Sequence, residues 1–315
     1  MKKVVIFGGG TGISSILSGL KLFPIDVTAI IAVSDNGSSA GVLKEEFNIP
    51  AVGDVGNVLI SMANIDKDSR ELLGYRFTKE GTLQNHPIKN ILLAALIDIK
   101  GNLTEATKYM CKILHINGTI LPLTEEKVEL VGVGENEQFL GEMNVTQNVK
   151  KIKKLMYDHD VKVRDEVIKK IKDADLIIFS SGSLYTSILP HLIVPEVRNA
   201  IKESNAPTMY ISNLVTQPGE TDGYTVSDHI KTINEYLDDR KVDIVIANNA
   251  VIDKAIVKKY ESLEKKELVK IDEAKIKKMG ARLIADKIFM ISNGAIRHNA
   301  LKTGFLVFSY LMEGE

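Results

Sequence analysis

The chain opens with Val4-Val5-Ile6-Phe7-Gly8-Gly9-Gly10-Thr11-Gly12, an unbroken apolar run that passes directly into a glycine-rich turn. A short run that is apolar at every position is typical of a strand buried on both faces of a parallel sheet. Apolar residues then recur at helical spacing from Ile13 to Leu20. The segment therefore predicts a strand, a glycine turn and a helix.

The turn between this strand and this helix is predicted to bind a phosphate. Bare backbone N–H groups and a helix N-terminus meet there, and glycine lets the backbone approach a ligand or take a positive φ. The turn is not a P-loop, and it is not a complete dinucleotide fingerprint because Ile13 occupies the third glycine position. A tight turn without a ligand is the simpler alternative. The candidate contacts are Gly9, Gly10, Thr11 and Gly12.

The composition is that of an ordinary globular protein. Of 315 residues, 44% are apolar and 26% are charged, which suffices for a large core. A formal net charge of −1 and a pI of about 6.6 give no overall field that would attract nucleic acid or an anionic membrane. The single cysteine, Cys111, excludes an intramolecular disulfide and a cysteine-based metal site.

The sequence also predicts where the protein resides. The first strand begins directly after two lysines, which leaves no room for a signal peptide. No apolar run approaches the ~20 residues that span a bilayer. We therefore expect a cytoplasmic protein without membrane insertion or a nucleic-acid partner.

Three further strands, at residues 27–33, 175–180 and 208–212, are predicted to end in polar loops. In a Rossmann-like, doubly wound and mostly parallel α/β sheet, the carboxyl ends of the strands share one edge, so these loops and the glycine turn are expected to converge on one crevice. Hydroxyls, amides and backbone N–H groups dominate the loops, with almost no Lys or Arg, which suits a diphosphate bridged to sugars. The candidate residues are Asp35, Asn36, Ser38, Gly182, Ser183, Leu184, Tyr185, Asn213, Thr216, Gln217 and Asp222.

Two predicted helix starts add candidates. Asp54 is predicted to cap a helix by its type and place, and Asn57 follows it within the same motif. His86 and Asn90 flank the start of another helix, where they could hold an anion or a sugar hydroxyl. Capping roles for His86 and Asn90 are equally plausible alternatives.

Residues 118–141 differ from their surroundings. Short alternating runs broken by glycine and asparagine predict a small antiparallel β insertion. We expect this insertion to be a lid, a packing element or part of a homo-oligomer contact, within a single α/β domain that spans residues 1–315.

Catalytic patterns are sparse. No serine lies in a Gly-x-Ser-x-Gly elbow, and the six histidines show no metal-ligand spacing. Asp35, Asp54, Glu220 and Asp222 could together hold Mg²⁺ on a diphosphate, with Asp35 the best candidate, but separate structural roles are the simpler alternative. No residue is identified as a general base.

Five segments resemble motifs of the YvcK/CofD family, and of its YvcK-like branch in particular. They are residues 8–12, 34–41, 53–57, 182–190 and 213–224, and the similarity covers nearly the whole chain. The resemblance implies a Rossmann-like α/β fold with the ligand at the strand ends. It also implies that Gly10, Thr11 and Gly12 take the nucleotide or phosphate end, and that Ser183, Leu184, Tyr185, Asn213, Thr216 and Gln217 line the rest.

The two branches of this family imply different functions. The YvcK branch is associated with binding UDP-sugars such as UDP-N-acetylglucosamine, with growth on gluconeogenic carbon sources and with bacterial cell shape. The CofD branch consists of Mg²⁺-dependent transferases that place 2-phospholactate on a deazaflavin precursor.

Three positions depart from the family pattern and bear on this choice. Asn36 replaces the second of two paired aspartates, Gly56 replaces an arginine, and Asn85-His86-Pro87 replaces a Gly-His-Ser loop. The first two changes remove a candidate metal ligand and a candidate phosphate ligand. We therefore expect a UDP-sugar-binding sensor or regulator with no certain cofactor. A Mg²⁺-dependent phosphotransferase with an unknown acceptor is the alternative.

Overall fold

The computed structural model describes residues 1–313 of the chain. Its strands are β1 Lys3–Gly8, β2 Asp26–Ile31, β3 Thr119–Pro122, β4 Leu130–Val133, β5 Gln138–Leu140, β6 Lys154–Tyr157, β7 Leu176–Phe179, β8 Thr208–Ile211, β9 Ile244–Asn248, β10 Arg282–Asp286, β11 Phe289–Ser292 and β12 Ala295–His298.

The helices lie between these strands and on both sides of the large sheet. They are α1 Gly10–Leu20, α2 Ser38–Phe47, α3 Gly53–Met62, α4 Lys67–Gly74, α5 Ile88–Lys100, α6 Leu103–Ile113, α7 Glu142–Asn148, α8 Asp165–Lys172, α9 Leu189–Leu192, α10 Pro195–Glu203, α11 Val226–Tyr236, α12 Lys254–Lys259, α13 Glu273–Lys278 and α14 Ala300–Met312. A 3₁₀ turn at Val149–Lys151 and π-helical turns at Leu184–Ile188 and Tyr260–Glu264 complete the set.

The central sheet is parallel and has the strand order β10-β9-β8-β7-β1-β2-β3. β1 lies inside it, and the side chains from Val4 to Phe7 are at most 1% exposed, as the unbroken apolar run predicts. The predicted Rossmann-like, doubly wound fold is therefore confirmed.

The order in which the chain adds strands locates a crevice. From β1 the chain moves outward through β2 to β3, and later returns to β7 and moves outward in the opposite direction to β10. The direction of winding therefore reverses between β1 and β7. In open α/β sheets, ligands bind beyond the carboxyl ends of the strands at such a reversal.

The antiparallel insertion exists, but its predicted bounds of 118–141 are wrong at both ends. Thr119–Pro122 is an edge strand of the central sheet and pairs with β2 in parallel. The small sheet has the order β5-β4-β6, so its third strand comes from Lys154–Tyr157. Four residues are too few to distinguish an alternating run from a buried edge strand, and β6 follows a charged segment that conceals the pairing.

The C-terminal elements pack beside the crevice. β10 is followed closely by β11, which pairs with β12 as a hairpin. α14 crosses α1 at very short distance, because a Cβ on Gly19 would lie 1.8 Å from the carbonyl oxygen of Ala300. This contact, which glycine alone permits, holds the start of α14, directly after the hairpin, against the end of α1.

No helix among residues 1–313 is both long enough and apolar enough to cross a membrane.

Candidate functional site

The glycine turn is clasped from two sides. A Cβ on Gly9 would lie 2.4 Å from Asp54 Oδ2, and a Cβ on Gly12 would lie 2.1 Å from the carbonyl oxygen of Ser181. Gly10 has a φ of +62°, which also favours glycine. Gly9 precedes α1, and no side chain caps this helix. Gly9 itself therefore supplies no side-chain acceptor to the first-turn amides of α1.

A cleft of about 460 Å³ lies beside this turn, at the ends of β1, β7 and β8. This volume is in the range of small-molecule sites. Seven of the predicted site residues line it: Thr11, Gly12, Gly182, Ser183, Asn213, Thr216 and Gln217. The loops that the sequence predicted to converge therefore do so around one space.

Two cations in the cleft were missed, and the prediction of almost no Lys or Arg is wrong. Lys266 is brought in because residues 214–216 pair with residues 267–269, with the Thr216 N–H donating to the Glu267 carbonyl at 2.7 Å. Arg297 enters from β12. Both come from segments without a local motif, so no sequence signal pointed to them.

Asn213 lines the cleft and also holds the neighbouring loop in place through its side-chain amide. Its Oδ1 accepts the Gly182 N–H at 3.1 Å, and its Nδ2 donates to the Gly182 carbonyl at 2.7 Å. The Tyr210 hydroxyl also donates to Asn213 Oδ1 at 3.3 Å. This paired contact fixes the loop after β7 to the end of β8, in a conformation where Gly182 has a positive φ.

A buried carboxylate orders the next residues of the same loop. Glu220 is 2% exposed, and it accepts the Ser183 hydroxyl proton at 2.5 Å and the Leu184 N–H at 3.2 Å. Burial raises the pKa of Glu220 to about 7. Leu184 is buried, and Tyr185 is partly buried beside Tyr224, so neither lines the cleft. Burial also raises the pKa of Tyr185.

On the β2 side of the turn lies a cluster of carboxylates. The prediction that Asp54 caps a helix is wrong, because Val52 precedes α3 and Asp54 lies within its first turn. The Asp54 carboxylate instead accepts the backbone N–H of Gly10. Burial, and then the charge of Asp35, raise the pKa of Asp54 to about 7. Asp54 therefore holds the glycine turn against the start of α3.

Glu142, at the start of α7, is a member of this cluster that the sequence analysis missed. Burial, and then the charge and hydrogen bond of the neighbouring Asp35 carboxylate, raise the pKa of Glu142 to about 8. Glu142 also bonds Thr186 in the turn after β7. The antiparallel insertion thus delivers a protonatable group to the strand ends.

Lys89 is the cation of this cluster and was also missed. Its ammonium donates to Asn57 Oδ1 at 2.5 Å and to the Gly53 carbonyl at 3.4 Å. Burial lowers the pKa of Lys89 to about 8. A Cβ on Gly56 would lie 3.2 Å from Lys89 Cδ, so the lysine stem occupies the space beside Gly56. A buried cation therefore reaches α3 from α5, although position 56 itself has no side chain.

The remaining predicted residues lie outside the cleft. His86 Nδ1 and Asn90 Nδ2 both contact Ser39 Oγ, at 2.9 and 3.2 Å, and these buried contacts join α2 to α5. Asn36 donates to Glu129 at 3.3 Å. Ser38 is exposed at the start of α2, and the exposed Asp222 pairs with Lys150 at 3.2 Å. The structure does not bring these five side chains to the turn.

A magnesium site at Asp35 has limited geometric support. Among residues 1–313, no group of three or more His, Cys, Asp or Glu side chains is arranged to hold a metal ion. Asp35 Oδ1 accepts the Gly37 N–H at 2.7 Å, and its carboxylate also faces Glu142. The donors that Asp35 and its described neighbours provide therefore do not form a metal cage.

Comparison with known proteins agrees with this fold. A family model described as 2-phospho-L-lactate transferase CofD matches residues 4–289. The chain is 39% identical to a protein of Halalkalibacterium halodurans named gluconeogenesis factor, over 100% of this chain and 97% of that one. A gluconeogenesis factor of Bacillus subtilis is 38% identical over 99% and 98% of the two chains. A crystal structure of a Bacillus halodurans protein superposes with a TM-score of 0.93 at 39% identity, over 98% of this chain and 99% of that one. The chain therefore belongs to the YvcK/CofD family, as its loop motifs predict.

Proposed function

We propose that the protein binds a nucleotide sugar of the UDP-N-acetylglucosamine type in the cleft and acts as a metabolic sensor or regulator. The observation that carries the proposal is the chemistry of the cleft lining. Hydroxyls, amides and backbone N–H groups suit sugar and ribose oxygens, while Lys266 and Arg297 suit a diphosphate.

The ligand's diphosphate lies near the start of α1 in this proposal. The helix dipole and the amides around Thr11 and Gly12 favour negative charge there. Lys266 and Arg297, which also line the cleft, neutralise the remaining charge. Ser183, Asn213 and similar groups then contact the sugar end, where bonds to neutral hydroxyls determine selectivity.

The regulatory part of the proposal rests on the relatives. Those from Halalkalibacterium halodurans and Bacillus subtilis are named gluconeogenesis factors. We infer that this chain, too, reports nucleotide-sugar levels from the cytoplasm during gluconeogenic growth and contributes to cell-shape control. Binding alone meets that role, which needs neither a metal nor an acceptor.

Isothermal titration calorimetry with UDP-N-acetylglucosamine, with and without Mg²⁺, tests the proposal. We expect micromolar binding without metal and no turnover. Thr11→Val removes one hydroxyl at nearly constant volume from a side chain that lines the cleft, and should weaken binding by about tenfold. Thr78→Val, in an exposed loop before α5, is the matched control and should bind normally.

The opposite results identify the alternative function. Binding that requires Mg²⁺ and is followed by slow breakdown of the ligand would favour a phosphotransferase with an unknown acceptor. Absence of binding to any UDP-sugar would reject the nucleotide-sugar proposal.

A further inference from the structure

Arg297 reaches the cleft from an element that is not part of the central sheet. Among the described residues, β11 and β12 pair with each other and with no other strand. An isolated two-stranded hairpin is at best marginally stable in water. Arg297 is exposed and forms no ion pair within residues 1–313, so the hairpin backbone sets the region that its guanidinium can reach. The position of this charge therefore depends on what holds the hairpin.

The neighbouring residue, His298, joins the hairpin to the strand ends. Its ring is 8% exposed, and Nε2 lies 3.0 Å from the carbonyl oxygen of Ser212, directly after β8. Nδ1 lies 3.4 Å from Ser181 Oγ, just after β7. The carbonyl oxygen of His298 accepts the hydroxyl proton of Ser15, in α1, at 3.3 Å. One residue thus contacts three of the elements that form the cleft.

These partners determine the tautomer of the ring. A carbonyl oxygen can only accept, so Nε2 carries the proton that is donated to Ser212. Nδ1 then has a free lone pair and accepts the proton of the Ser181 hydroxyl. Burial lowers the pKa of His298 to about 4, so the ring stays neutral near pH 7. Both ring nitrogens are therefore hydrogen-bonded to residues that directly follow β7 and β8.

We propose that His298 is a positioning residue of the cleft, which sets the place of Arg297 by tying β12 to the ends of β7 and β8. The inference rests on the proposed function, since it takes the Arg297 guanidinium to contact a phosphate of the nucleotide sugar. Without the two ring contacts, the hairpin keeps its own pairing and the bond from the Ile296 N–H to the Tyr260 hydroxyl, but β12 is no longer tied to the ends of β7 and β8, and the guanidinium spreads over more positions.

A double-mutant cycle tests this role by calorimetry with UDP-N-acetylglucosamine. His298→Phe keeps a ring of similar size but makes neither hydrogen bond, and should weaken binding by about tenfold or more. In an Arg297→Ala background the same change should have almost no further effect, because His298 acts through Arg297. An equal loss in both backgrounds would overturn the proposal.

Two further variants separate positioning from general damage. His298→Gln can donate to Ser212 and accept from Ser181 through its amide, so it should recover most of the affinity. His191 is a matched control, because it is also buried, has Nε2 3.0 Å from the Ile30 carbonyl, and has a pKa lowered to about 4 by burial. His191→Phe should lower the melting temperature and leave binding unchanged. A comparable loss of affinity in His191→Phe would attribute the effect of His298 to destabilisation alone.

Hydrogen exchange without ligand distinguishes this proposal from the proposed function. In His298→Phe, amides of residues 289–298 should exchange about tenfold faster, while those of β1 stay protected. If wild-type protein binds no UDP-sugar but the hairpin still loses protection, the nucleotide-sugar function fails and the positioning role stands. Unchanged exchange in the hairpin would refute the positioning role.

Discussion

Gly12→Ala is the substitution that probes the glycine turn most directly. The new Cβ would lie 2.1 Å from the carbonyl oxygen of Ser181, whereas ordinary contact begins at about 3.4 Å. The obstacle is backbone and cannot rotate away, so α1 and the loop after β7 must separate by roughly 1.3 Å. Overpacking of this kind costs about 1–3 kcal/mol. The separation also widens the cleft between Gly12 and Gly182, so affinity for UDP-N-acetylglucosamine should fall about tenfold or more.

Two other glycines make this experiment specific. Gly10→Ala meets nothing closer than 3.7 Å, so its cost of about 1–2 kcal/mol comes from the positive φ alone. Gly74→Ala, at the end of α4, meets nothing within 4 Å and should be neutral or slightly stabilising. Urea unfolding measures the change in stability of each variant, and calorimetry measures its affinity for UDP-N-acetylglucosamine. If Gly12→Ala unfolds and binds like wild type, α1 does not approach the Ser181 carbonyl closely, and the glycine turn is not tightly packed against the loop after β7.

Three further predictions concern the groups around this turn. Glu142→Gln should flatten the pH dependence of stability. A carboxyl whose pKa is raised to about 8 binds its proton more tightly in the folded state, so wild-type stability falls as the pH rises from about 4.5 to 8. The free energy of unfolding in urea should therefore differ less between pH 6 and pH 9 in the variant than in the wild type. Lys89→Met leaves the Asn57 amide oxygen without its donor and should lower the free energy of unfolding by about 1–3 kcal/mol at pH 7, measured by urea unfolding; an unchanged value would mean that water replaces the ammonium. Asn213→Ala removes both contacts to Gly182, so we expect weaker ligand binding and faster amide exchange at Gly182, and normal exchange there would contradict the described pairing.

The first strand, the glycine turn and the convergence of loops were predictable because each depends on short-range rules. An apolar run, a glycine turn and a periodic helix within residues 4–20 define a βα unit, and parallel topology then sends successive strand ends to one edge. The assignment of residues 119–122 was not predictable in the same way. Whether a four-residue run pairs with β2 or with β4 depends on packing between distant segments.

The charged residues of the site show the same limit more clearly. Glu142, Lys266 and Arg297 each come from a segment with no motif, and tertiary contacts alone bring them to the site. Lys89 lies between the candidates His86 and Asn90, but nothing in that segment shows that its ammonium reaches α3. Asp54 has the residue type and approximate place of a helix cap, and only its burial against Gly10 shows another role. Sequence patterns therefore predicted which loops form the site, whereas the charged side chains around it could be identified only from the folded structure.

The two sides of the glycine turn differ in charge, and this difference orients an anionic ligand. On the β2 side, Asp35, Asp54 and Glu142 form a carboxylate cluster, and Lys89 interacts with two of them, whereas Lys266 and Arg297 line the cleft on the side of β7 and β8. Two unit charges 4 Å apart interact by about 4 kcal/mol at an effective dielectric constant of 20. A diphosphate is therefore drawn toward the cleft and away from the carboxylates. Because an anion raises the pKa of nearby acids, binding between pH 7 and 8 should also take up protons on Asp54 and Glu142, so affinity should decline as the pH rises through that interval.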